Sequence, residues 1–480
     1  MKLFKDRKEF LVAFSIAVAA ASFSLLPTIY AWLNTPEGYW FTGVSSYFDP
    51  WDINAYFSAM RQGFDGSWLY RNPYQPSDVR RLPIQLAYLF LGRLTRTFDL
   101  PIPSVYHAVS FVLGVVFLLT VYFFVRFFLK DKFWSLVCLF LVAFGGGFGF
   151  FGLPEGKLLP DTAWPDATTF STLHLPHFML DQLFFLGVLF FSYRALTKSN
   201  WRCGFAAAVL GIGLGFIHPY SLTVATVIVG IFFIGFWVRG KSWRQSKLLL
   251  PLLLVSLPTV GYFFKIFYLD TGGMGALWSN KAASLFLTPP LPVLFLSYGL
   301  VAALALIGAH RLWKEKTSPS LLLLSWSGGQ LLMLYFPVSW QRIMIKSFFI
   351  ILCLLAVWGM RALSLRKNWI SLAMILFFSS LTNISIQALT VAGARPGNIW
   401  VYLSAEECEA LEWVRENLSG ETILAPLELS TMIPAYSSNS VYCPYRPIPS
   451  EVECGLETVG ASRLEEVYKD GEISIFKTVD

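Results

Sequence analysis

Long apolar runs, each about the length of a bilayer-crossing helix, recur along most of this chain, and that one feature excludes nearly every soluble architecture. A helix needs roughly 20 apolar residues to cross about 30 Å of hydrocarbon. Runs of this kind cover 10–32, 104–129, 133–152, 177–197, 248–268, 292–312, 320–337, 341–362 and 369–391. The segment 203–238 is longer and is interrupted by His218-Pro219-Tyr220, so its apolar content alone fits one long helix or two short ones. Only 14% of the 480 residues are charged, where a soluble chain would carry about a quarter.

Charge placement settles the count. With two spans in 203–238, the segments 1–9, 130–132, 198–202, 239–247, 311–319 and 361–368 fall on one side of the membrane, and each carries Lys or Arg. A single span would put the later basic clusters outside, against the positive-inside rule. The same clustering removes nucleic acid as a partner, although the net charge is +7. The expected fold is an all-α polytopic membrane protein of about 11 helices. Its N-terminus is cytoplasmic and its C-terminus extracytoplasmic. MKLFKDRKEF precedes the first run without a small-residue cleavage site, so that run is expected to stay as a signal anchor.

Four outer segments follow: 33–103, 153–176, 269–291 and the tail from 395. The transmembrane domain is expected over 1–394, and a small α/β module over 395–480. Within the module Ser404 and Glu407 form a capping box for SAEECEALEWVRENL, followed by strand-like TILAP and ISIFKT. The Pro- and Ser-rich stretch between those strands reads as loop. In the first outer segment the apolar patch 83–91 is too short to span and suits a juxtamembrane helix. Cys138, Cys203 and Cys353 lie in apolar stretches as small core residues, while Cys408, Cys443 and Cys454 lie in the tail. A Cys443–Cys454 disulfide is open to an oxidising compartment.

Ionisable groups avoid the predicted mid-bilayer and gather near outer span ends: His107, His177, Asp181, His218, Lys265, Asp270, Arg342 and Lys346. Ion-coupled transporters place such groups or broken helices near the midplane, so this pattern favours a site at the outer face. The first outer segment carries SSYFDPWDINAYFSAMRQGFDGSWLYRNPY, with Asp49 and Asp52 early and Tyr56 one helical turn after Asp52. A carboxylate there could take a proton from an acceptor hydroxyl or coordinate a cation. Equally, Asp52 could cap the following helix and Asp49 could start a turn at Pro50.

These features together resemble the GT-C superfamily of membrane glycosyltransferases, which includes the protein mannosyltransferases and the bacterial aminoarabinose and Rgt-type transferases. The resemblance rests on the signal-anchor span, the large acidic first loop and the extracytoplasmic tail. Its local carriers are D-x-x-x-Y at Asp52 and Tyr56 with RQGFDGSWLYRNPY, and LEWVRENLSGETILAP with IPAYSSNSVY in the tail. The chain departs from the mannosyltransferase pattern in having no adjacent Asp-Glu pair in the first loop. Which of Asp52 and Asp49 is catalytic therefore stays open, with Asp52 preferred.

The resemblance implies transfer of a sugar, with inversion, from a polyprenyl-phosphate or pyrophosphate carrier to a glycan, lipid or protein acceptor, with membrane lipids around the helices. It leaves the cofactor open, because some members use a divalent cation, Mg2+ or Mn2+, and others none. Under it, Arg342 and Lys346 in FPVSWQRIMIKS would hold the donor phosphate, a planar guanidinium donating two hydrogen bonds. The bland alternative is interfacial snorkelling of both side chains. Asp166 in PDATTFSTLHLPHFMLDQ resembles the second-loop acid of several members, and His174 or His177 could bind phosphate or assist a metal. No spacing makes a zinc site. A lone interfacial His is more often structural, and His218 fits a structural or a donor-binding role. Asp181 would cap or pair locally, and Lys265 with Asp270 would form a boundary ion pair of little worth. The rival functions are a lipid-linked sugar flippase or other transporter, and a scaffold whose tail binds partners.

Overall fold

The computed structural model describes residues 7–45, 47–48, 50–74, 80–240, 242–266, 287–338, 341–441, 464–470 and 473–478. Asp49, Asp270, Cys443 and Cys454 lie outside the described residues, and with them the Lys265–Asp270 pair and the tail disulfide.

The molecule is mostly helical. Among the described residues six segments are long and apolar enough to cross a membrane: Arg7–Leu33, Ile102–Leu129, Lys132–Phe151, Pro176–Lys198, Pro219–Val238 and Trp369–Gly393. They fall on predicted apolar runs, and the protein is a multi-pass membrane protein. Other predicted spans appear as shorter helices, among them Leu250–Phe264, Gly299–Glu315, Ser318–Leu334 and Phe348–Ala362.

The segment 203–238 folds as two helices, Trp201–Ile217 and Pro219–Val238. His218 between them is extended, at φ −143° and ψ 100°. Proline forces this, since its ring disfavours the α conformation of the preceding residue and suits the first turn of a new helix. The run 341–362 behaves otherwise. Gln341–Ile345 is a 3-10 turn, and the α-helix begins only at Phe348, after Ser347 in the left-handed region at φ 67°. Arg342 and Lys346 therefore stand before this helix and not on it.

Backbone contacts divide the chain into two units. The first comprises Met1–Ser24, Val109–Leu269 and Trp278–Ile386; the second Leu25–Ala108, Asp270–Leu277 and Gln387–Asp480. In the first unit Gly299–Glu315 packs closely along Phe348–Ala362. A Cβ on Gly308 would lie 1.8 Å from the Leu355 carbonyl oxygen, and one on Gly359 would lie 2.1 Å from that of Leu304. Small residues at such crossings let helix backbones approach where lipid supplies no hydrophobic driving force.

In the second unit strand Tyr39–Phe41 pairs antiparallel with Tyr402–Ser404, Trp40 opposite Leu403. Helices Pro50–Phe64 and Leu86–Phe98 follow in the first loop. The predicted capping box is present: the Ser404 hydroxyl accepts from the Glu407 amide, and the Glu407 carboxylate accepts from the Ser404 amide. A four-stranded sheet runs in the order Ser440–Val441, Thr422–Leu424, Ile473–Thr478, Leu464–Asp470. The stretch expected to be loop contains a helix, Leu427–Tyr436, with Pro434 inside it. Burial of Leu429, Met432 and Ile433 in the unit's apolar core outweighs the proline and serine signals.

Candidate active site

In the first unit one loop is held by backbone amides. After the helix Lys132–Phe144 the chain runs Gly145-Gly146-Gly147, and the amides of Gly147 and Gly149 donate to the Asp161 carboxylate at 3.0 and 3.1 Å. The helix Trp369–Gly393 holds the same glycines from its own polar side. Asn383 donates to the carbonyls of Phe144 and Gly145, and Thr382 to that of Gly147. Burial pushes the Asp161 carboxyl up to about 6, with the Gly149 and Gly147 amides opposing the shift.

This fixed loop leads to Asp166, which is buried. Its carboxylate faces the Lys346 ammonium at 3.9 Å. Lys346 also donates to the Tyr220 hydroxyl and lies 4.0 Å from the Phe178 ring centroid and 4.5 Å from that of Tyr220. Beside Lys346, Tyr220 stacks on His218 at 4.9 Å, and the His218 ring lies 5.2 Å from His177. His218 Nδ1 bonds the Asp181 carboxylate at 2.9 Å, and Ser221 donates to the second oxygen of that carboxylate at 3.1 Å. Asp181 thus pairs across helices, 37 residues away in sequence, and does not cap locally as expected. The Arg342 guanidinium stands 5.2 Å over the Trp164 ring.

An apolar cavity of about 150 Å3 is lined among others by Leu294, Tyr298, Ala305, Leu331, Phe348 and Leu355. Two of these residues tie it to the polar groups. The Tyr298 hydroxyl donates to the carbonyl of Ala167, next to Asp166, and Phe348 follows Lys346 by two residues.

Solved structures share this arrangement of helices. The oligosaccharyltransferase of Archaeoglobus fulgidus in the apo form matches with TM-score 0.58 and 14% identity, over 92% of this chain and 65% of that one. The archaeal oligosaccharyltransferase AglB from the same organism, in complex with an inhibitory peptide and a dolichol-phosphate, matches with TM-score 0.56 and 14% identity. That match covers 90% of this chain and 64% of the other. The likeness is one of fold. This chain spans a little under two thirds of the length of these relatives. A third form of the Archaeoglobus fulgidus enzyme, in complex with Zn and sulfate, matches with TM-score 0.55 and 14% identity, over 89% of this chain and 62% of that one. No protein-family model and no curated protein sequence matches the chain.

On this framework the structure brings together Asp166, His177, His218 and Lys346 of the residues singled out from sequence. In the second unit, Asp52 stands in the first turn of Pro50–Phe64, where a carboxylate is favoured by the helix dipole. Tyr56 on the same helix is buried and stacks on Tyr88 at 4.6 Å, and Tyr88 stacks on Tyr106. His107 bonds the Gly43 carbonyl at 2.7 Å, which ties it to its loop. Among the described residues no group of three or more His, Cys, Asp or Glu side chains gathers in a way that could hold a metal ion.

Sequence reasoning passed over Asp161, Tyr220 as a partner of Lys346, and Gln330. Asp161 had a signal in the repeated Pro-Asp of LLPDTAWPDA, and Tyr220 in its place after His218-Pro219. Gln330 had only its oddity as a polar amide within an apolar run.

Proposed function

We propose that this protein is a GT-C membrane glycosyltransferase, moving a sugar from a polyprenyl-phosphate-type carrier to an extracytoplasmic acceptor with inversion. The observation that carries the reading is the Lys346 ammonium, buried between Asp166, Tyr220 and Phe178. A buried cation beside apolar walls matches a donor that is itself a phosphate on a hydrocarbon chain. The dolichol-phosphate bound by an archaeal oligosaccharyltransferase of the same fold supports that donor class. In this reading about eleven spans cross the membrane, the N-terminus is cytoplasmic, and residues 395–480 form an extracytoplasmic module.

In the reaction the acceptor oxygen forms a bond to the anomeric carbon while the bond from that carbon to the carrier phosphate breaks. The acceptor proton passes to a carboxylate of the first loop, Asp52 by preference and Asp49 otherwise. The bonding pair leaves with the phosphate, which departs without protonation. Lys346 and Arg342 stabilise the charge that grows on it. His177 and His218 line the donor side, and Asp166 balances the charge of Lys346 in the empty site.

Incubating the purified chain with a panel of polyprenyl-phosphate sugars tests the reading through transfer, or slow hydrolysis, of the sugar. Lys346→Met should raise the donor KM, and Asp52→Asn should fold and lose transfer. A folded, active Asp52→Asn protein would move the base to Asp49. Movement of intact carrier-linked sugar across vesicles, with no transfer by the same preparation, would favour the flippase instead.

A further inference from the structure

Gln330 lies in the C-terminal half of the helix Ser318–Leu334 and is fully buried. Its amide nitrogen donates to two backbone carbonyls of the neighbouring strand of chain, those of Met344 at 2.9 Å and Lys346 at 2.5 Å. Its amide oxygen accepts from the indole nitrogen of Trp326, one turn earlier, at 2.8 Å. Trp326 is fully buried as well and is gripped edge-on by Phe124.

The two carbonyls lie where the chain has left one helix geometry and not yet entered the next. Gln341–Ile345 is a 3-10 turn, Ser347 is left-handed, and the α-helix starts at Phe348. Carbonyls at such a break lack regular helical partners, and buried ones need another donor. One primary amide has two N–H groups, which is what two carbonyls require. The left-handed turn at Ser347 is a conformation that a non-glycine residue holds only when its surroundings impose it. Without the clamp, the sequence from Gln341 to Phe348, which holds no glycine or proline to break a helix, leaves the helix free to wind back through Lys346. Its ammonium would then swing away from Asp166 and Tyr220.

We infer that Gln330, oriented by Trp326, is a positioning residue that holds Lys346 in the conformation able to bind the phosphate of a lipid-linked donor. The inference rests on the proposed function, and adds to it a residue that touches neither donor nor acceptor. Truncating the amide should loosen phosphate binding and spare binding of the hydrocarbon. Misplacement of a binding group by about 1 Å can cost on the order of a hundredfold.

The test uses the full chain in detergent with two probes, undecaprenyl phosphate and undecaprenol, which differ only in the phosphate. Wild type should bind the phosphate more tightly than the alcohol, and Lys346→Met should remove the difference. Gln330→Met keeps side-chain length without donors. It should weaken the phosphate about tenfold or more, leave the alcohol unchanged, and lower kcat/KM for the phosphate-linked donor. Trp326→Phe should weaken the phosphate several-fold, and it decides alone if Gln330→Met does not fold. Equal losses for both probes would mark Gln330 as merely structural, and an unchanged phosphate affinity in Trp326→Phe and Gln330→Met would also overturn the inference. Should Lys346→Met bind the phosphate as well as wild type, the phosphate reading of the site falls, and this inference with it.

Discussion

The Lys346 ammonium and the Asp166 carboxylate face each other at 3.9 Å, and both side chains are 3% exposed. The distance is long for an ion pair this deeply buried, and the ammonium divides its remaining donors and its field between Tyr220 and the Phe178 ring. Asp166 is therefore a counter-charge that an incoming anion has to displace or share.

Neutralising that counter-charge should help an anion and harm the empty protein. Asp166→Asn is expected to tighten undecaprenyl phosphate binding about tenfold, equivalent to about 1.4 kcal/mol. In the ligand-free state it should cost several kcal/mol, because one charge of a buried pair is left behind. Thermal midpoints with and without the phosphate measure both effects, the ligand-induced rise being larger in the variant. Weaker binding by Asp166→Asn would mean that the carboxylate itself contacts the ligand.

The Asp181–His218 pair invites a double-mutant cycle. His218→Ala leaves the buried Asp181 side chain to the Ser221 hydroxyl and the field of Lys346, and should cost about 1–3 kcal/mol. Asp181→Leu removes the charge and should cost less when combined with His218→Ala than the two single changes summed. Detergent unfolding titrations give the coupling, expected at about 1–3 kcal/mol. Strict additivity would show that the contact carries no energy.

Asp161 makes stability depend on pH in a defined direction. Its carboxyl titrates at about 6 in the fold and at 3.8 in the unfolded chain, so between those values the folded protein holds the extra proton. The contribution is complete below the unfolded value and is lost as pH rises through about 6. The loss is on the order of a few kcal/mol, since a tenfold change in proton affinity is worth about 1.4 kcal/mol. Asp161→Asn should remove this dependence, so that wild type minus variant stability declines from about pH 4 to about pH 7. A difference that rises over that range would contradict the burial argument.

Gly147 tests how tightly the glycine loop is held. A Cβ there would lie 1.9 Å from the Ser297 carbonyl oxygen, a backbone atom that cannot swing aside. Gly147→Ala should lower the thermal midpoint sharply and reduce the yield of monodisperse protein. Gly156, at φ 68° with open space around it, is the control, and its alanine variant should cost only about 1 kcal/mol. Similar midpoints for the two variants would mean that the loop yields.

Much of the helical framework was legible because membrane insertion depends on local composition, which a window of about twenty residues contains. The break at His218 could be read for a similar reason, since Pro219 imposes it on its own neighbour. The capping box at Ser404 and Glu407 is also local, and it formed where expected. The break before Phe348 was not legible. Nothing in the run 341–362 signals a helix start as late as Phe348, because the amide that satisfies its carbonyls belongs to a different helix. The helix Leu427–Tyr436 was hidden by Pro434 and its serines, whose turn signals burial overrode.

From its order of residues alone this protein had determined that it would cross a membrane many times, where its basic clusters would lie, and which acids and cations stood near span ends. Hydrophobicity, charge and proline act within a turn or two of where they stand, so a linear reading captures them. Tertiary structure alone decided that Lys346 meets Asp166 and Tyr220, and that Asp181 meets His218. Those distances are set by how helices far apart in sequence pack, and a few ångströms there separate a snorkelling lysine from one buried against a carboxylate.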